Sequence, residues 1–341
     1  MNTLDLKHLL KRGALLAAAN WPIVLMQFVV ETTFQVLLAV PIIGAAILVA
    51  VLLGGDLAEL LRGTLRDMFT TIAGTLMSEP VAFVAFVLAF SLTLIGGSLL
   101  LFVVKGGTVA VMLAANAAAG PIEREPLTFE GVRSAARFTL ERFMGGCGRL
   151  YRSYVVLGIV LMVVYAASVG GYAALVVYGY RALGQAVVLG WTMAAIAAAA
   201  LVVWFTIVNF LYLLIQVAIA VEGVGLVDAT RAVARFIRDE FREVAGVFLV
   251  VFGLVVAAML ASALAWSGVG LIAFVPLVGL AVIPLQLAAL LVRGLVFEFL
   301  GLTALGAYVT LYQGYAARRN DAIVAIHDAP VQRAAGASGA I

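Results

Sequence analysis

Glu31 stands inside an apolar run from Trp21 to Leu53, with Gln27 four residues before it and Gln35 four residues after. On a helix that spacing puts the three polar side chains on one stripe. A carboxyl group at such depth costs several kcal/mol unless it is paired, protonated or turned toward water. The stripe is therefore a candidate for handling a charged or polar solute. The alternative is a neutral Glu31 that hydrogen-bonds between helices and serves packing alone.

Lys105, Asn209 and Arg293 lie ~20–25 residues into three other long apolar runs, which at ~1.5 Å per residue places them near a cytoplasmic boundary. Their side chains can reach out of the apolar layer to the headgroups. They can instead ring a cytoplasmic vestibule, with Lys105, Glu222, Arg293 and Glu298 offering a route for a charged solute or contacts for a lipid headgroup.

Signatures of catalysis are missing from the chain. It has no nucleophile elbow, no phosphate-binding glycine loop and no HExxH pattern. One cysteine, Cys147, and two histidines, His8 and His327, give no basis for a disulfide or a metal cluster. The expectation is a protein that is not an enzyme, takes no metal or cofactor and binds no nucleic acid.

The elements that must hold these residues follow from composition. Of 341 residues, 65% are hydrophobic and 11% charged, and the mean hydropathy is +1.17. Soluble domains do not have this balance. Crossing a hydrocarbon layer of ~30 Å takes ~20 apolar residues. The runs beginning near Trp21, Val81, Tyr151, Ala186, Val244 and Leu271 each meet that length. The predicted fold class is an all-α, polytopic transmembrane helix bundle of six spans.

Between the spans, Leu226 to Phe241 (LVDATRAVARFIRDEF) repeats Thr128 to Phe143 (TFEGVRSAARFTLERF) 98 positions later, with five of sixteen positions identical. Each copy reads as an amphipathic helix with a basic face, carried by Arg133 and Arg137 in the first and Arg231, Arg235 and Arg238 in the second. Attraction to anionic headgroups accounts for such faces, and docking of a protein partner is the alternative. The N-terminal segment, with Lys7, His8, Lys11 and Arg12 on its polar face, is a weaker third copy, and Asp56 to Pro80 is a further amphipathic segment. Ala257, Ala261 and Ala265 give the fifth span a small-residue face for close helix contact.

One integral membrane domain over 1–316 is expected, with repeat units of approximately 1–120, 121–223 and 224–316, followed by a disordered cytoplasmic tail over 317–341. Sixteen Lys and Arg residues fall on one side of this topology and three on the other. That bias predicts six spans with both termini in the cytoplasm.

The pattern EGVGLVDATRAVARFIRDEFREVAGVFLVVFGL resembles poorly characterised bacterial six-span proteins, a group similar to the membrane domain attached to some glycerophosphodiester phosphodiesterases. Asp228, Arg231, Arg235 and Phe241 carry the likeness, and Glu130, Arg133, Arg137 and Phe143 echo it. The soluble phosphodiesterase domain is missing, so the resemblance implies an integral membrane domain and no hydrolase activity.

With that resemblance, the leading expectation is a non-catalytic, multi-pass protein of the bacterial inner membrane, a scaffold or accessory subunit of a membrane complex, with membrane lipids and a protein partner on the basic faces. The alternative is a transporter of lipid or a small amphiphilic solute. Transport predicts that Glu31→Gln stops movement of the substrate in a protein that still folds. A scaffold predicts that this change is silent and that charge reversal at Arg231 and Arg235 is the damaging one.

Overall fold

The computed structural model describes residues 6–53, 74, 78–124, 129–183, 187–273 and 278–337. Among these residues the order is α1 (Leu6–Ala19), α2 (Trp21–Leu53), α3 (Pro80–Ala118), α4 (Phe129–Ser134), α5 (Leu140–Leu183), α6 (Val187–Glu222), α7 (Leu226–Asp239), α8 (Phe241–Ala273) and α9 (Val278–Ala337). Six stretches are long and apolar enough to cross a membrane: Trp21–Leu48, Phe83–Ala118, Leu140–Gly179, Leu189–Glu222, Phe241–Ala265 and Pro284–Asp321. The fold is an all-α polytopic bundle. The amphipathic segment expected at Asp56 to Pro80 falls almost entirely outside the described residues.

Buried side chains gather at one end of the bundle. They belong to Phe102–Ala119 of α3, Phe143–Leu157 of α5, Tyr212–Ile219 of α6 and Leu302–Ala316 of α9, with α1 and α7 closing the layer. We call this the collar end. Toward the other end, large apolar residues such as Val40, Leu92, Val163, Val202, Leu264 and Leu287 are exposed. Acyl chains suit such surfaces as well as another helix would.

Close backbone approaches and polar bonds fix the collar. A Cβ on Gly13 of α1 would lie 2.3 Å from the Thr303 carbonyl oxygen and 2.8 Å from the Ala307 nitrogen of α9. One on Gly146 of α5 would meet the Ala110 Cβ of α3 at 2.4 Å. Beside them, Arg12 is largely covered, with 11% of its side chain exposed, rather than displayed on a polar face as the sequence suggests. Its guanidinium donates to Asn116 Oδ1 at 2.6 Å, to the Asn116 and Gly120 carbonyls at 2.9 and 2.5 Å, and to Glu123 Oε2 at 2.6 Å. Asn116 is in the last turn of α3 and Gly120 follows the end of that helix, so a cation there meets carbonyls at the helix terminus and complements its dipole. Asn116 extends the network to α9 through Gln313 at 2.6 Å and Thr310 at 3.0 Å.

The two repeated segments fold differently. Leu226–Asp239 forms one helix that buries Ala229, Ala232, Val233 and Phe236, and it exposes Arg231, Arg235 and Arg238. In the first copy the helix stops at Ser134, and Ala136 to Thr139 are not helical. Asn20, fully buried between α1 and α2, takes this backbone over. Its Oδ1 accepts from the Arg137 and Phe138 N–H groups at 2.8 and 3.0 Å, and its Nδ2 donates to the Ala135 carbonyl at 3.1 Å. Arg133 is exposed on α4, whereas Arg137 is half-buried outside any helix. A single basic helical face through Arg133 and Arg137 therefore does not form.

The C-terminal boundary also differs from the expectation of a disordered tail after 316. Helix α9 continues past it, and Arg318 and Arg319 pair with Glu240 and Glu222. Their charges are matched across the collar instead of being left to solvent. The small face of α8 likewise does not close: Ala261 and Ala265 line an open groove against α9.

Gly13→Ala should lower stability by about 1–3 kcal/mol, because backbone on α9 must move. Gly44→Ala, where a Cβ meets nothing within 4 Å, should be neutral or slightly stabilising. Thermal unfolding of both variants in detergent checks this, and equal midpoints would contradict the close α1–α9 crossing.

Candidate functional site

Three spans converge on Glu31. Lys105 Nζ on α3 donates to Glu31 Oε1 at 3.1 Å, and Gln27 Nε2, one turn away on α2, donates to the same oxygen at 3.4 Å. Glu298 on α9 lines the same two cavities as Glu31. Lys105 and Glu31 each keep about a third of their side chains accessible, at 29% and 31%. Two carboxylates and one ammonium leave a formal charge of one negative unit when all three are ionised.

The cluster sits at the inner edge of the collar, away from the Arg12–Asn116 network that closes its outer end. Lys105 precedes Asn116 by eleven positions, as Asn20 precedes Glu31, so each is ~16 Å along its helix from the collar network. Arg293 lies nine residues after the start of the candidate span Pro284–Asp321, and Lys105 well inside Phe83–Ala118. Lys105 meets an acid there instead of reaching for headgroups.

The cluster borders two cavities. An inner one of about 310 Å³ is bounded by Gln27, Glu31 and Lys105, by Thr108 and Gln216, and by Glu298. A second, of about 390 Å³, has Glu31, Gln35, Arg293, Phe297 and Glu298 in its wall. The Arg293 guanidinium carbon lies 5.7 Å from the centre of the Phe297 ring, in cation–π range. Beyond Arg293 runs an apolar groove of about 500 Å³ between α8 and α9. Leu290, Arg293 and Phe297 are shared between the groove and the second cavity, and Glu31, Phe297 and Glu298 between the second cavity and the inner one.

Two polar atoms in the inner wall lack hydrogen-bond partners: Gln27 Oε1 and Gln216 Nε2. Both side chains are well buried, at 7% and 2% exposure. A buried amide without a partner costs about 1–3 kcal/mol.

The expected four-residue vestibule thus divides. Lys105 and Glu298 join the Gln27–Glu31 stripe, Arg293 and Gln35 line the adjoining cavity, and Glu222 belongs elsewhere. Glu222 accepts from the Tyr312 hydroxyl at 2.7 Å and pairs with Arg319 at 3.2 Å, at the collar. Asn209 is bonded to Tyr165 on α5. Gln216 and Thr108 were missed, although Gln216 is a lone amide in the apolar run LYLLIQVAIAV, the same kind of signal that singled out Gln27.

No protein-family model, curated protein or solved structure matches this chain. The resemblance to phosphodiesterase membrane domains therefore rests on the repeat residues alone.

Removing one partner of the Lys105–Glu31 pair should be costly where removing both is not. Lys105→Met is expected to destabilise by about 2 kcal/mol, a figure reduced from the fully buried case because the pair is partly exposed. Adding Glu31→Gln should recover at least half of that loss. Unfolding midpoints of the two single variants and the double variant test the coupling, and simple additivity would argue against it.

Proposed function

We propose that this chain is a bacterial inner-membrane transporter that admits a lipid or small amphiphile from the side and carries its polar end into the bundle. One observation supports this reading over a scaffold. An apolar groove with Arg293 on its wall, a cavity with Arg293, Glu31 and Glu298, and a cavity with the same two carboxylates and Lys105 share walls in that order. An amphiphile presents the same sequence of chemistries.

The Lys and Arg bias orients the collar toward the cytoplasm in this proposal. The exposed Arg133, Arg231, Arg235 and Arg238 then sit at the level of anionic headgroups, each contributing about 1 kcal/mol of attraction. The unit is a collar helix, a span outward and a span back. Helices α1 and α7 have fourteen residues each and lead, after one residue, into a span, which favours counting the N-terminal segment as a third unit. No catalytic step is proposed. The accessory-subunit reading keeps one favourable feature, the exposed arginine face of α7. It requires a protein companion that leaves the membrane in stoichiometric amount.

The test is transbilayer movement in vesicles carrying the full chain, using phospholipids labelled on an acyl chain and a reductant that bleaches the outer leaflet. Movement should exceed that of protein-free vesicles, and Glu31→Gln should slow it about tenfold, equivalent to about 1.4 kcal/mol. Rates equal to protein-free vesicles for both phosphatidylethanolamine and phosphatidylglycerol would rule the transporter out.

A further inference from the structure

The order of charges along the path carries a statement about which amphiphile fits. Adjoining the apolar groove is Arg293, the one charged residue on its wall. Five residues further along α9 is Glu298, ~7.5 Å deeper by helix rise, in the same cavity walls as Glu31. A lipid entering tail-side through the groove meets a guanidinium first and carboxylates second. Arginine binds phosphate with a planar fork of donors. Carboxylates accept from ammonium through short, charge-assisted bonds.

The inner cavity, of about 310 Å³, has two carboxylates on its wall against one ammonium, that of Lys105. Lys105 pairs with Glu31, and Glu298 lines the same cavity. A primary ammonium has three N–H donors. Glu31, Glu298 and the unpartnered Gln27 Oε1 are three acceptors on two facing helices. Gln216 Nε2, an unpartnered donor on α6, is open to an oxygen of the same headgroup. Counting Glu31, Glu298, Lys105 and Arg293, the path is formally neutral, which matches a zwitterion better than a net anion.

We propose that the inner end of the path takes the primary ammonium of an aminophospholipid, with Arg293 on its phosphate. This rests on the amphiphile reading above and narrows it to one headgroup class. A phosphatidylglycerol headgroup would leave the carboxylates facing hydroxyls, and a trimethylated amine would offer them no N–H.

Retention of lipid by the full-length protein, measured by native mass spectrometry after equilibration with equal amounts of phosphatidylethanolamine, phosphatidylcholine and phosphatidylglycerol, tests the assignment. Phosphatidylethanolamine should be retained about tenfold over each of the others, the effect of one charge-assisted hydrogen bond. Glu298→Gln should bring the three close to equal, whereas Arg293→Gln should lower all of them and preserve their ratio. Equal or preferred retention of phosphatidylglycerol or phosphatidylcholine by the unaltered protein would overturn the headgroup assignment, and so would a preference that survives Glu298→Gln. If phosphatidylglycerol is moved across vesicles as fast as phosphatidylethanolamine, the transporter reading stands and this inference falls. If no lipid is moved or retained, both fall.

Discussion

In lipid, apolar burial gives a helix no reason to prefer another helix over the acyl chains around it. What holds this chain together must come from close packing and polar bonds, and both are concentrated at the collar. Gly13 admits α9 to backbone distance. Arg12 draws α1 onto the end of α3, and Asn116 ties that end to α9. The remaining lengths of the spans need no such contacts and leave grooves between them.

That division gives the charged cluster its setting. Glu31, Lys105 and Glu298 lie at the inner edge of the collar, where helices are still close enough to bring α2, α3 and α9 to one point. They are also where gaps begin, so two cavities flank the same carboxylates. A cluster wholly inside the collar would be sealed. One farther out would have no partners across the bundle. An intramembrane acid that is both paired and reachable is what binding of a charged headgroup requires.

Much of this was legible in the residues. The six spans followed from apolar length, and the Gln27–Glu31–Gln35 stripe followed from helical spacing within one of them. Partners were not legible, because spacing within a helix says nothing about the register between helices. Glu298 and Lys105 were singled out without Glu31 as their neighbour, since an overlong apolar run does not reveal which of its turns faces another helix. Arg12 looked like a surface residue because its acceptors on Asn116, Gly120 and Glu123 lie 104, 108 and 111 positions away in the sequence. Asn20, in the sequence AANWP, drew no attention, yet it takes the backbone hydrogen bonds that break the first repeat helix. A repeat in sequence thus became two different local structures once one copy met a buried amide that the other lacks.

A cryo-electron microscopy reconstruction of the protein in nanodiscs containing phosphatidylethanolamine tests the central claim most directly. The account predicts density for a lipid whose acyl chains lie between α8 and α9 and whose headgroup ends beside Glu298 and Glu31, with Lys105 on Glu31. Helices closed over an empty path, or Lys105 turned away from Glu31 to the membrane surface, would contradict it.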